Sequence, residues 1–182
     1  MPALNQRLGL TRYEADEHYK RALDAYRKAN LDEAVDAMSY AIERLPTKAE
    51  YYATRGFFQL EDGSTPEAEA DFAKALQIYP YEMLAHYGRG MIAYKSEDWE
   101  SALERFTAAY RVDPQRAETL YYLALVYYKL GEVASAINVM SRALTAFEAA
   151  NDKRKTQAER WLRDLARRAR KAGLLMEGGG EP

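Results

Sequence analysis

Cysteine is absent from the chain, which excludes disulfide frameworks, thiolate metal sites and cysteine nucleophiles together. Histidine is nearly absent: His18 and His86 stand alone among 182 residues, too few for the clusters on which most metal sites and acid–base constellations lean. Glycine (10) and proline (6) are also scarce, so neither a collagen-like chain nor a low-complexity disordered one fits. Long apolar runs are missing as well. The longest, Leu120 to Tyr128, has nine residues against the ~20 that cross a bilayer. The segment from Met1 to Arg7 has no charged stretch followed by an apolar one, as a secretory signal would, and the expectation is a cytoplasmic protein. What is present is a globular composition, 48% hydrophobic and 30% charged. A chain of this length buries about two-thirds of its unfolded surface without metal or disulfide staples.

A period of 34 residues organises the chain. Pro46, Pro80 and Pro114 are spaced by it, with Glu148 at the next register. Five residues before each stand Ala41, Ala75, Ala109 and Ala143, and twelve before each stand Ala34, Ala68, Ala102 and Ala136. Between those alanines a bulky position holds Met38, Phe72, Phe106 and Met140, giving a small-large-small stripe at helical spacing. A further small position, Ala22, Gly56, Gly90 and Ala124, marks close approach of two helices. Trp99, Phe106 and Phe72 are expected to be buried between helices. Local signals suggest boundaries: a capping box at Thr11-Arg12-Tyr13-Glu14, a capping hydroxyl at Thr65 before Pro66, and turns at Gly63 and Gly131.

Residues Asn151 to Ala172 read as one more helix, with Ala158, Trp161, Leu162, Leu165, Ala169 and Ala172 on a single face. Between Lys153 and Lys171 nine residues are basic and two acidic, although the whole chain carries only −2. Arg160, Arg163, Arg167, Arg170 and Lys171 face away from the Trp161 stripe. They read either as the soluble outer side of a capping helix or as a surface for nucleic acid, an anionic membrane or the acidic body of another copy. No aromatic is interleaved among them, which disfavours nucleic acid.

This pattern resembles the tetratricopeptide repeat, a helix-turn-helix unit of 34 residues, over four units from Ala15 to Glu148. The third unit, with Gly88, Gly90, Trp99, Ala102, Phe106, Ala109 and Pro114, lies closest to the family pattern. The resemblance implies an all-α fold, a right-handed α-solenoid of four helix pairs plus a C-terminal capping helix. Its organisation would be an N-terminal segment (1–10), a four-repeat domain (11–150), the amphipathic cap (151–173) and a flexible tail (174–182). It also implies a concave groove lined by the first helix of each unit, and hence a non-enzymatic scaffold or adaptor that takes a peptide segment. The groove columns are Tyr19, Ala53, Tyr87 and Tyr121; Leu23, Phe57, Met91 and Leu125; Tyr26, Leu60, Tyr94 and Tyr128; and Arg27, Glu61, Lys95 and Lys129. A tyrosine-rich, apolar groove with a basic rim suits a protein segment with apolar anchors and some acidic character.

The resemblance does not extend to the clamp with which some family members hold the terminal carboxylate of chaperone tails. Its Lys, Asn and Arg positions are Tyr19, Leu23, Thr54, Leu84 and Gly88 here, which disfavours that activity. No catalytic residue, cofactor, metal site or small-molecule substrate is expected. Gly88-Arg89-Gly90 lacks the third glycine and the preceding strand of a phosphate loop, and the two histidines, two periods apart, read as packing residues. A structural subunit, with the groove filled by another copy or by Met1 to Leu10, stays open as an alternative.

Overall fold

The computed structural model describes residues 9–173; the expected flexible tail and all but the last two residues of the expected N-terminal segment lie outside them. Among the described residues the chain forms nine α-helices and no strand. They are α1 (Leu10–Arg27), α2 (Leu31–Arg44), α3 (Ala49–Asp62), α4 (Thr65–Ile78), α5 (Met83–Lys95), α6 (Trp99–Val112), α7 (Ala117–Lys129), α8 (Val133–Ala149) and α9 (Lys155–Lys171). The chain divides between Ile92 and Ala93, within α5, into two compact units. In the first, α1 packs on α2, α2 on α3 and α3 on α4; in the second, α6 packs on α7, α7 on α8 and α8 on α9.

The 34-residue frame is visible in the backbone. Leu45, Tyr79 and Asp113 leave the helical region, at φ −138°, −139° and −130°, one residue before each proline, because the proline ring disfavours a helical predecessor. α2, α4 and α6 accordingly stop at 14 residues each, whereas α8, with Glu148 in place of proline, runs to 17. Between the helices of each pair a left-handed residue turns the chain: Ala29 (φ 57°), Gly63 (92°), Glu97 (58°) and Gly131 (84°), again 34 apart. Two of the four are not glycine and carry the steric cost of that conformation.

Two expected caps are displaced. α1 starts at Leu10 from a left-handed Gly9, so Thr11 sits inside the first turn and makes no cap hydrogen bond. α4 is preceded by Ser64, which moves Thr65 into the helix, and the Ser64 hydroxyl donates to Asp62 instead. Side-chain caps form at Asn30, accepting from the Glu33 N–H at 3.3 Å, and at Asp98, accepting from the Ser101 N–H at 3.1 Å. α9 begins at Lys155, four residues after the expected start at Asn151, because Asn151 is left-handed and Asp152 accepts from the Arg154 N–H at 2.8 Å in a tight turn. Ala158, Leu165 and Ala169 are buried as expected, Trp161 and Leu162 are half-buried, and Ala172 is exposed.

Every residue of the small-large-small stripe is fully buried, from Ala34, Met38 and Ala41 to Ala136, Met140 and Ala143. Phe72 fills the space that two glycines leave open in the first unit. A methyl group on Gly56 would come to 2.9 Å of its ring, and one on Gly88 would overlap the ring outright. Gly88 is therefore a packing glycine within α5. Trp99 departs from expectation: it is half-buried, because it opens α6 beside Tyr94 and Lys129 instead of entering the core.

The first unit also carries a charged column that the sequence reading missed. Arg21, Arg55 and Arg89 are 34 apart and each pairs with a carboxylate: Glu33 at 2.8 Å, Asp71 at 2.7 Å and Glu69 at 2.7 Å. The Arg55–Asp71 pair is bidentate, and Arg55 also donates to the Ser39 hydroxyl at 3.0 Å, so α2, α3 and α4 are tied together. Asp71 is buried, and hydrogen bonding to it raises the pKa of Arg55.

Candidate functional site

The odd-numbered helices α1, α3, α5 and α7 carry the columns expected to line a groove, and the structure sorts their residues by exposure. In the first unit Tyr19, Leu23, Tyr26, Phe57 and Met91 are half-buried, whereas Leu60 and Tyr87 are buried. In the second, Tyr94 and Tyr128 are half-buried, Tyr121 and Leu125 are buried, and Lys95 and Lys129 are exposed. These four buried members, at 3–8% exposure, and Ala53, at 0%, serve chiefly as packing, so the surface a ligand would meet belongs to the others.

In the first unit the rings are anchored by carboxylates. Tyr19 stacks on Tyr51 with centroids 5.3 Å apart and donates its hydroxyl to Glu50 at 3.0 Å. Burial and the Glu50 charge push the Tyr19 phenol up to about 12. Tyr51, absent from the expected site, is fully buried and donates to Asp16 at 2.8 Å. Lys48 lies 4.5 Å from the Tyr51 ring centre and 3.2 Å from Glu50. Further along, Tyr26 stacks on Phe58 at 4.8 Å and meets Phe57 edge-on at 6.0 Å. No period signals Tyr51, since Glu17, Ala85 and Thr119 stand at its equivalent positions.

The second unit arranges aromatics differently. Tyr94 meets Trp99 and Tyr122 edge-on, each at 5.4 Å, and Tyr122 stacks on Phe106 at 5.8 Å. Tyr128 packs against Trp161 of α9 at 5.6 Å. Cations lie over these rings: Lys129 is 4.9 Å from the Trp99 centre and Arg168 is 5.3 Å from the Tyr128 centre. Tyr122, Trp161 and Arg168 were not among the expected site residues. Arg168 is seven residues beyond Trp161, two helical turns along the same face, which is the signal that could have found it. Burial, partly offset by a hydrogen bond to Trp161, puts the Tyr121 phenol at about 12.

Arg160, Arg163, Arg167, Arg170 and Lys171 are all exposed on α9, and Arg167 pairs with Asp164 at 2.8 Å. The histidines sit as packing residues: His18 stacks on Tyr40 at 5.4 Å, and His86 Nε2 lies 2.9 Å from the Pro80 carbonyl. Among the described residues no group of three or more His, Asp or Glu side chains is arranged to hold a metal ion, and no helix is long and apolar enough to cross a membrane.

Paired helices on a 34-residue frame, with alanine stripes inside and aromatic columns outside, define a helical-repeat solenoid class. Residues 19–82 and 87–153 match the tetratricopeptide repeat family, and the chain belongs to that family. It is 26% identical over 106 residues to the Hsp70-Hsp90 organizing protein of Triticum aestivum, covering 58% of this chain and only 18% of that relative. Among solved structures, pilF of Pseudomonas aeruginosa shares the fold with a TM-score of 0.76 at 19% identity, over 94% of this chain and 79% of that one. The TPR2B domain of yeast Sti1, solved in complex with pHsp70, matches with a TM-score of 0.57 at 26% identity, over 66% of this chain and 98% of that domain.

Proposed function

We propose that the chain is an interaction module that binds a peptide segment of a partner protein on the aromatic columns that the odd-numbered helices carry within a compact unit. The observation that carries this reading is the half-buried state of Tyr19, Tyr26, Phe57, Tyr94 and Tyr128. Each ring is held in place by neighbouring rings yet stays partly exposed, and rigid amphipathic rings of this kind make low-entropy contact surfaces. The similarity to the Sti1 domain in complex with pHsp70 supports the class of activity. It does not carry over the carboxylate clamp, because Thr54 and Gly88 at two of its positions are buried and the others, Tyr19, Leu23 and Leu84, are uncharged. The partner is therefore recognised by apolar side chains inside the segment more than by a free chain end. No catalytic step and no cofactor is part of this reading.

The test is affinity capture of partners on the full chain, followed by titration of a captured partner against Tyr94→Ala and Tyr128→Ala. Binding is expected to weaken by ~1–3 kcal/mol per tyrosine with little loss of melting temperature. Unchanged affinity would end the groove reading.

A second reading, docking on an anionic surface through the outer side of α9, is favoured by its five exposed cations. It separates from the first by salt: counterion release makes such binding collapse between low and high ionic strength, whereas apolar contacts persist.

A further inference from the structure

The last helix, α9, has two faces with different chemistry. Its outer cations are solvated, but Arg168 lies on the same side as Trp161 and rests its guanidinium over Tyr128, the outermost tyrosine of α7. On the adjoining turn Lys129 rests over Trp99, which in turn meets Tyr94 edge-on. One strip of the second unit thus comprises Tyr94, Trp99, Lys129, Tyr128, Arg168 and Trp161, with two cations set among four rings.

Electrostatics makes the strip unusual. Arg168, Lys129 and the neighbouring Lys95 are exposed, and among the described residues none of them has a carboxylate partner within 4 Å, although 13 ion pairs form elsewhere among those residues. A cation parked on a ring face is fixed in position while its N–H donors stay outward, and a stacked guanidinium keeps a planar edge that matches a carboxylate.

We infer that α9 forms part of the binding face of the second unit, and that this face selects a partner segment carrying Asp or Glu directly beside an aromatic or leucine side chain. The inference deepens the groove reading and rests on it. The apolar side chain lies between Tyr94, Tyr128 and Trp161, while the flanking carboxylates meet Lys129 and the Arg168 edge. Charge complementarity chooses the occupant: a basic segment would meet three uncompensated cations, and a neutral one would leave them unused.

A random twelve-residue peptide display library panned on the full chain tests it, with recovered peptides synthesised and titrated. Recovered sequences are expected to place Asp or Glu next to Phe, Tyr, Trp or Leu. Their affinity should fall about tenfold or more on Arg168→Glu and less on Arg168→Gln. Arg111→Glu, the same charge change at an exposed position away from the strip, should leave affinity within about twofold. A melting curve accompanies each variant, and Arg168→Gln keeps the test open if the charge reversal unfolds the chain. Peptides without acidic residues, or equal losses on Arg111→Glu and Arg168→Glu, would overturn the inference while leaving the groove reading intact if Tyr94→Ala still weakens binding. Failure to recover any peptide would contradict both.

Discussion

The same repeat position is solved in opposite ways in the two units. Residue 88 in the first is glycine, and the Phe72 ring lies so close that no side chain fits. Residue 122 in the second, one period later, is tyrosine, and it stacks on Phe106 with the rings nearly parallel at 13°. A like contrast holds at residues 55 and 123, two periods apart: Arg55 is tied to buried Asp71 in the first unit, whereas Leu123 is buried in the second. The alanine stripe is common to both. A repeat fold therefore asks for small residues where helices touch and a large one between them, and it leaves the neighbouring positions free to vary in pairs. That freedom is where the two units acquire distinct surfaces: in one, carboxylates hold the rings and the lysine over them, and in the other Lys129 and Arg168 lie over rings without a carboxylate partner among the described residues.

The largest expected effects come from breaking the shared stripe. Phe72→Ala and Phe106→Ala should each cost ~3–5 kcal/mol in denaturant unfolding, since each ring is fully buried. A loss below ~1 kcal/mol in either would mean that unit does not depend on the stripe. Next comes the exclusive feature of the first unit. Asp71→Ala should cost ~2–4 kcal/mol by stranding Arg55, while the double change Arg55→Leu with Asp71→Leu, which imitates the apolar solution of the second unit, should recover most of that loss. If the double variant is no better than the single one, the two solutions are not interchangeable.

Overpacking comes next: Gly88→Ala should cost ~1–3 kcal/mol as Phe72 is displaced. Tolerance of that change would show that the Phe72 ring has room to move. The smallest effect tests the turns that both units share. Ala29→Gly and Glu97→Gly should each stabilise by ~0.5–1 kcal/mol, because both residues stand left-handed where Gly63 and Gly131 stand at the equivalent positions. Thermal melts of the two variants measure it, and a destabilisation in either would mean that its side chain makes a compensating contact.

These contrasts also explain how much was legible in the chain. The period, the stripe and the exits at Pro46, Pro80 and Pro114 could be read directly, because steric size and proline geometry act locally and repeat. The missing proline at Glu148 left open whether the helix stops there, and α8 runs on to Ala149. Cap positions were read one residue out at Thr65, and at Thr11 the helix had already begun, since several polar residues near each start compete for the role. The tyrosine columns were legible as positions but not as exposures: Tyr87 and Tyr128 look alike in sequence, yet one is buried and the other half-open. That difference is set by the helices packed alongside, which a column cannot encode. The Arg21, Arg55, Arg89 column was periodic and could have been found; its partners Glu33, Asp71 and Glu69 share no register. Arg168 and Trp161 lie outside the period, so only the helical spacing of α9 connects them.

The most direct test of the central claim is to map a bound segment on the labelled protein. Backbone and side-chain NMR shifts of the full chain would be followed during titration with a peptide selected by display. Binding along the odd-numbered helices should move the signals of half-buried ring residues such as Tyr26, Phe57, Tyr94 and Tyr128, while exposed residues of α2, α4 and α6, such as Asp36, Lys74 and Arg111, stay unmoved. Shifts confined to α2, α4, α6 or the outer arginines of α9 would contradict the claim.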